Sequence, residues 1–295
     1  MKNIILVGSN QFYKKSFEYY IKDKKNFALY YLKDNDFKKR SIITKIKLLK
    51  PKFVAVFSGL SGGIFYNIKN SDKILEYNTE TYLKILSILE ICKIKKVFFI
   101  SASCTYPKNL SILNHHDFLK PNLERTSLAY ASSKMIGSLY CYKVNYEKKN
   151  YQWMTIVPAT IYGQKEIKKN NEDMHVINAM ISKLKYQKKK VFFFGTGNIK
   201  REFIHIQDLI SAIFFIDRKR IFNPIMNIGV GYDITIKNLS KLISKILNYK
   251  GKIYWKKTKN EGAKKKLLNT NLLFDKGWRP KMSLDKGIKF SLKKI

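Results

Sequence analysis

Compact apolar runs of four or five residues recur through the first half of the chain, separated by stretches whose apolar residues follow the helical period. Ile4–Val7, Phe27–Tyr31, Phe53–Phe57, Val97–Ser101 and Trp153–Val157 have strand length and near-continuous apolar character, as strands covered on both faces do. Lys14–Ile21, Ser41–Leu49, Asp72–Cys92 and Ala129–Lys148 lie between them with helical spacing. In Asp72–Cys92 the residues Ile74, Leu75, Tyr82, Leu83, Ile85, Leu86 and Leu89 form one apolar stripe. Strand–helix alternation at this rhythm predicts an α/β fold with a doubly wound parallel sheet, Rossmann-like in type. After about residue 160 the pattern changes to helices at Asp173–Leu184, Ile206–Phe215, Ile236–Leu247 and Ser283–Leu292, with short strands at Val191–Phe194, Ile225–Ile228 and Lys252–Trp255. Residues 1–165 are therefore expected to form a dinucleotide-binding domain, to which some later segments return. Residues 166–295 mainly supply a smaller lobe, with the ligand crevice at the carboxyl ends of the strands.

Composition narrows the class. A hydrophobic fraction of 45%, with 19 Tyr and 19 Phe in 295 residues, excludes a disordered chain. The 58 Lys+Arg against 21 Asp+Glu give a net charge of +37 and raise a nucleic-acid reading. Only Arg40, Arg125, Arg201, Arg218, Arg220 and Arg279 are arginines, however, and the lysines are spread over the whole length. A solvated lysine-rich surface without a nucleic-acid partner is expected, and its field draws an anionic ligand such as a nucleotide. No apolar run reaches the roughly 18–20 residues of a membrane span, and the first apolar run is too short for a signal peptide. Cys92, Cys104 and Cys141 have no metal-ligand spacing and leave an odd thiol. They are expected to be reduced in a cytoplasmic protein.

The sharpest chemical signal is Tyr130-Ala-Ser-Ser-Lys134 near the start of a predicted helix. Positions i and i+4 share a helical face, so the ammonium is expected to favour the phenolate and lower the tyrosine pKa. Such a phenol serves as a proton donor or acceptor near neutral pH.

Phe98-Phe-Ile-Ser-Ala-Ser-Cys-Thr-Tyr-Pro-Lys108 followed by Leu123-Glu-Arg-Thr-Ser-Leu-Ala-Tyr130-Ala-Ser-Ser-Lys134 resembles the extended short-chain dehydrogenases/reductases of the GDP-L-fucose synthase type. Val157–Gly163, Met174–Ile181, Gly195–Asp208 and Glu261–Asn269 leading to Gly277-Trp278 extend the resemblance, which is strong from about residue 94 to 290. It implies 3,5-epimerisation of a GDP-4-keto-6-deoxy-mannose and reduction at C4 with NADP(H), NAD(H) being the alternative. Tyr130 would protonate the C4 oxygen, and Lys134 would hold the nicotinamide ribose. Cys104 and His175 would be the acid/base pair of the epimerisation, acting on protons made acidic by the neighbouring ketone. Gly8, Asn10, Ser101, Ala102, Pro158, Thr160 and His175 would join Lys134 around the cofactor. Lys183, Phe194, Arg201, Glu261 and Lys266 would hold the nucleotide sugar, and a homodimer would form through helices 72–92 and 129–148.

Three features depart from the family pattern. Gly8-Ser-Asn-Gln11-Phe-Tyr-Lys14 keeps only the first glycine of the phosphate-binding turn, so Gln11 and Lys14 are expected to carry side chains into the gaps. Asn10 stands where the family has an arginine for a 2′-phosphate, and Ala102 where it has a catalytic serine. Ser101 and Ser103 flank Ala102, and on a regular strand they point to the opposite face. Two other readings follow: another nucleotide-sugar C4 reductase or epimerase, or an impaired scaffold that binds a nucleotide sugar or a homologous partner.

Overall fold

The structure, a computed structural model, describes residues 1–163, 174–187, 189–258 and 262–292. The first half runs β1 (Lys2–Val7), α1 (Gln11–Ile21), β2 (Phe27–Leu32), α2 (Ser41–Leu49), β3 (Phe53–Val56), α3 (Ile64–Lys69), α4 (Ser71–Ile91), β4 (Lys96–Ile100), α5 (Leu128–Glu147) and β5 (Gln152–Pro158). The second half continues β6 (Thr160–Tyr162), α6 (Val176–Tyr186), β7 (Lys190–Phe194), β8 (Lys200–Arg201), β9 (Phe203–His205), α7 (Ile206–Lys219) and β10 (Ile225–Ile228). It ends with β11 (Ile234–Thr235), α8 (Ile236–Ile246), β12 (Lys252–Lys256), β13 (Lys265–Lys266), α9 (Asn271–Phe274) and α10 (Leu284–Leu292). Helix α1 starts at Gln11, three residues before the expected Lys14, because the Asn10 side chain accepts the Phe12 N–H at 2.9 Å and caps it.

Six parallel strands form the central sheet in the order β10-β5-β4-β3-β1-β2. Alternate residues of each strand feed two separate cores, which is why the strands are apolar throughout. Ile4, Leu6, Phe53, Phe98 and Ile156 pack with Phe17 of α1 and Leu209, Ile213 and Phe214 of α7. Ile5, Val7, Val54, Val97 and Trp153 pack on the other face with Ile46 of α2, Ile85 and Leu89 of α4, and Val144 of α5. A third cluster lies among α6, α8 and α10, with Val191 and Phe193 of β7.

Strand β10 comes from the second half of the chain yet pairs with β5 in the main sheet. Its Asn227 side chain accepts from the Tyr106 hydroxyl at 2.7 Å and donates to the Leu113 carbonyl at 2.8 Å. Glu202 fastens the segment that follows: Oε1 accepts from the N–H groups of Val230 and Gly231, and Oε2 from that of Leu268. Among the described residues no helix is long and apolar enough to cross a membrane, and no His/Cys/Asp/Glu group could hold a metal. All three cysteines are buried free thiols.

Candidate active site

Strand order reverses between β1 and β3, and the main cavity opens at that end of the sheet. Its volume is about 1420 Å³, above the roughly 300–1,000 Å³ of a pocket for one drug-sized ligand. Tyr130, Lys134, Cys104 and His175 all line it, although they come from α5, the turn after β4 and the N-cap of α6. Close packing sets this geometry. A Cβ on Gly137 would lie 2.3 Å from the Phe99 ring, so α5 sits hard against β4 and carries Tyr130 and Lys134 to the strand ends.

Lys134 is buried, and its ammonium donates to the carbonyls of Ile100 at 2.6 Å and Ser58 at 3.2 Å, the ends of β4 and β3. The rings of Tyr82, Phe99 and Tyr130 surround it, with centroids 4.5, 5.0 and 5.8 Å away. Burial lowers its pKa to about 7, against smaller opposing effects of Cys104 and Asp34. Tyr130 moves the other way: burial raises it, and a hydrogen bond with Ser61 offsets part of the rise. The expected lowering of the phenol by the ammonium is corrected here. Both groups are driven toward their neutral forms because burial at the cavity floor desolvates them.

The turn after β4 corrects a second expectation. Ala102 is extended, with φ −154° and ψ 153°, and the chain then closes a single 3₁₀ turn over Ser103–Thr105. Thr105 donates from both its N–H and its hydroxyl to the Ala102 carbonyl. The regular strand alternation therefore ends, and Ser101, Ala102, Ser103 and Cys104 all line the cavity.

Cys104 is buried beside Glu124 and Lys266, and burial raises its thiol pKa against the Lys266 charge. His175 faces the cavity, where the surrounding protein lowers its imidazole pKa. Thiol and neutral imidazole are thus the forms present at pH 7, a proton donor and a proton acceptor.

Arg201 and Lys266 are register partners in the small sheet β11-β8-β13, and both line the cavity. Arg201 donates to the Ala263 carbonyl at 2.7 Å, and the Lys266 ammonium lies 2.8 Å from Glu124. Burial works against the Glu124 carboxylate, but Lys266 and the Thr126 hydroxyl outweigh it and hold its pKa at about 2. Lys183 donates to the Phe192 carbonyl at 3.0 Å and sits over the Phe194 ring, 5.1 Å from its centroid. Glu261 lies outside the described residues.

The turn after β1 departs from expectation as well. Asn10, Phe12 and Tyr13 line the cavity, while Gln11 and Lys14 do not; Lys14 pairs with Glu18 at 3.6 Å. The α1 N-cap turns the Gln11 side chain outward and places Lys14 along the helix. Gly8 itself has φ +154°, and a Cβ there would lie 3.1 Å from the Phe57 carbonyl oxygen. Pro158 and Thr160 line the cavity from the end of β5 and the start of β6.

Three residues at the site escaped the sequence reading. Ser61 lies in the loop after β3 and Glu124 in the segment before α5, where no pattern marks them. Asp34 follows β2, and an acidic residue just after the second strand of such a fold was a readable signal. Asp34 Oδ1, Ser58 Oγ and Ser101 Oγ are buried polar atoms without a hydrogen-bond partner on residues that line the cavity. With the close Gly8 turn, these orphaned groups fit a polar, dinucleotide-sized ligand.

A model of the NAD dependent epimerase/dehydratase family matches residues 13–229. The chain is 34% identical over 256 residues to GDP-L-colitose synthase of Yersinia pseudotuberculosis, covering 85% of this chain and 83% of that protein. It is 26% identical over 241 residues to GDP-L-fucose synthase of Escherichia coli (strain K12), covering 77% and 74%. Among solved structures, a GDP-6-OMe-4-keto-L-xylo-heptose reductase from C. jejuni superposes with a TM-score of 0.86 at 19% identity, covering 98% of this chain and 96% of that one. A GDP-L-fucose synthetase from Naegleria fowleri bound to NADP gives 0.81 at 18% identity, covering 98% and 91%. The fold, the Tyr130–Lys134 helix and a family match that runs from α1 past β10 agree: the chain belongs to the NAD dependent epimerase/dehydratase family, as an enzyme of the extended short-chain dehydrogenase/reductase type.

Proposed function

We propose that the chain is a GDP-sugar epimerase/reductase that epimerises a 4-keto-6-deoxy hexose at C3 and C5 and reduces it at C4 to GDP-L-fucose. The observation that carries this reading is the convergence of Tyr130, Lys134, Cys104 and His175 on one cavity from separate parts of the chain. A bound nicotinamide would supply the hydride. Tyr130, neutral at pH 7, gives its proton to the C4 oxygen, and Lys134 holds the ribose and the phenol in place. His175 takes a proton next to the ketone and Cys104 returns one, the roles their protonation states favour.

Asn10, Ser101, Ala102, Pro158 and Thr160 line the cavity, and with Gly8 in the turn beside them they would hold the dinucleotide. Lys183, Phe194, Arg201 and Lys266 grip the sugar nucleotide, the cations taking the diphosphate. Residues 166–295 mainly provide that second lobe. The exposed apolar residues Leu75 and Leu83 of α4 and Leu139 and Tyr142 of α5 support a homodimer through these two helices. The higher identity to a GDP-L-colitose synthase favours a second reading, in which the product is the sugar that relative is named for. The test supplies GDP-4-keto-6-deoxy-mannose with a reduced nicotinamide, follows nicotinamide oxidation and identifies the product by NMR. Oxidation that yields GDP-L-fucose supports the proposal; no oxidation at saturating substrate overturns it.

A further inference from the structure

The six strands of the central sheet are parallel, so every connection that enters a strand lies at one end of it, and the cavity lies at the other. Backbone hydrogen bonds tie the entering segments together. The Lys2 N–H donates to the Asn26 carbonyl, the Lys52 N–H to the Asn3 carbonyl and the Gln152 N–H to the Lys95 carbonyl, each at 2.7 Å. Charge is divided unequally between the two ends. The segments that leave β1, β3 and β4 on the cavity side, 8–10, 57–63 and 101–107, contain no charged residue. On the entering side each strand has an exposed cation in it or shortly before it: Lys25 for β2, Lys2 for β1, Lys50 for β3, Lys95 for β4, Lys149 for β5 and Arg220 for β10. Asp23 is the one acid in the connections 22–26, 50–52, 92–95, 148–151 and 220–224. Asp217, Glu90 and Glu147, at the ends of α7, α4 and α5, are already paired with lysines. Helix C-termini meet this end, and their dipoles account for a cation at each. They do not account for two apolar side chains among the cations. Leu48, two residues before Lys50, is 76% exposed, and Phe222, two residues after Arg220, is 43% exposed.

We propose that the strand-entry end of the sheet is a docking surface for an anionic lipid bilayer. The contact is peripheral: the cations face phospholipid headgroups, and Leu48 and Phe222 enter the boundary between headgroups and acyl chains. Six strands about 4.8 Å apart spread the cations over a row about 24 Å wide, and none of the six lines the main cavity. A broad row of this kind suits a charged plane. Five of the six are lysines, which act as point charges and lack the fork that recognises a single phosphate. Exposed apolar side chains gain from a lipid interface and gain nothing from a nucleic-acid backbone, so the bilayer is favoured over RNA or DNA. The total charge of +37 draws the chain toward any polyanion. The docking surface differs from that general pull in depending on where the charge is placed. Docked this way, the chain turns its cavity to the aqueous side, open to a soluble ligand.

Co-sedimentation with vesicles tests the proposal, using phosphatidylcholine alone and phosphatidylcholine in which a third of the lipid is phosphatidylserine. Wild-type protein is expected to sediment with the anionic vesicles at about 0.1 M salt, to ignore the neutral ones, and to dissociate as salt is raised. Each cation near such a surface is worth about fivefold in affinity. Lys25→Glu combined with Lys149→Glu should therefore weaken binding at least about twenty-five-fold. Lys241→Glu combined with Lys245→Glu makes the same change in net charge on α8, which packs with α6 and α10, and should keep most of the binding. Leu48→Ser combined with Phe222→Ser should weaken vesicle binding and leave binding to single-stranded RNA unchanged. All of these side chains are exposed, and a thermal melt checks each fold. Equal losses in the two charge-reversal variants overturn the surface, because total charge alone then governs binding. Vesicle binding indifferent to Leu48 and Phe222, or RNA bound more tightly than anionic vesicles, overturns the lipid as its partner. Absence of sedimentation by the wild type overturns the contact outright. None of these results bears on the cavity, so nicotinamide oxidation decides the reductase reading separately.

Discussion

The Lys134 ammonium donates to the Ile100 carbonyl oxygen at 2.6 Å, so the lysine is anchored to the end of β4 while its ring neighbour Tyr130 stays neutral. Its pKa of about 7 against the ordinary 10.5 makes folding release a proton between those values. The unfolded chain then binds more protons, and stability rises with pH across that window by up to about 1.4 kcal/mol per pH unit. Lys134→Met should flatten the rise in denaturant unfolding measured at pH 7, 8 and 9. Equal slopes in the two proteins would show that Lys134 keeps its proton when folded.

Cys104 and His175 set a pH profile for proton exchange. The imidazole pKa lies below 6.5 and the thiol pKa above 9.0. Solvent deuterium should therefore enter GDP-4-keto-6-deoxy-mannose at a rate that rises through the histidine pKa, stays level between about pH 6.5 and 9, and falls as the thiol ionises. Cys104→Ser and His175→Asn should each suppress the exchange, and NMR of the recovered substrate reads it. Exchange that survives both changes removes the pair from catalysis.

Ala102 and Ser61 both line the cavity with Tyr130 and bear differently on reduction. Ser61 hydrogen-bonds the phenol, while position 102 offers no hydroxyl. Ala102→Ser should raise kcat for reduction by up to about 10²–10³, the range for one donor to a developing oxyanion. Ser61→Ala should lower kcat and leave nucleotide-sugar binding unchanged. If Ser61→Ala alone has no effect, the Tyr130 proton is held by other groups.

Glu124 is held at a pKa of about 2 and neutralises Lys266 at 2.8 Å. A carboxylate lowered on folding contributes stability above its ordinary pKa near 4.5, and that contribution is lost as pH falls toward 2. Glu124→Gln leaves a mostly buried ammonium unpaired and should cost about 3 kcal/mol at pH 7. The difference from wild type should shrink steadily below pH 4.5 in urea unfolding. A difference that does not change with pH would mean the loss is packing, not charge.

The sheet was legible because a strand covered on both faces writes a run such as Phe53–Phe57 or Trp153–Val157 that few other structures produce. The helix Ser41–Leu49 coincides with its apolar spacing. Strands β8, β11 and β13 could not be read: two residues carry no period, and Arg201 and Lys266 are neighbours only through tertiary pairing. Tyr130 and Lys134 were placed on one helical face by their spacing, but their ionisation was misjudged. Spacing says nothing of the Ile100 and Ser58 carbonyls or of the burial that sets the pKa values. The place of Asp34 after β2 was readable, but its contacts with Ser9 and Tyr77 were not, because those residues lie far from it along the chain.

Strand β10 gives the chain a particular order of assembly during synthesis. Until residues 225–228 have left the ribosome, β5 has no partner on its outer side, and its apolar segment Trp153–Pro158 is an open sheet edge. Such edges template pairing with other chains, so the half-made protein is most prone to aggregation during this interval. A fragment ending near residue 165 would keep that edge permanently and would lack Asn227, which ties Tyr106 to the Leu113 carbonyl. Because β10 returns to the main sheet, residues 1–165 lack part of the sheet they belong to, and a split-gene version would have to place its break after β10.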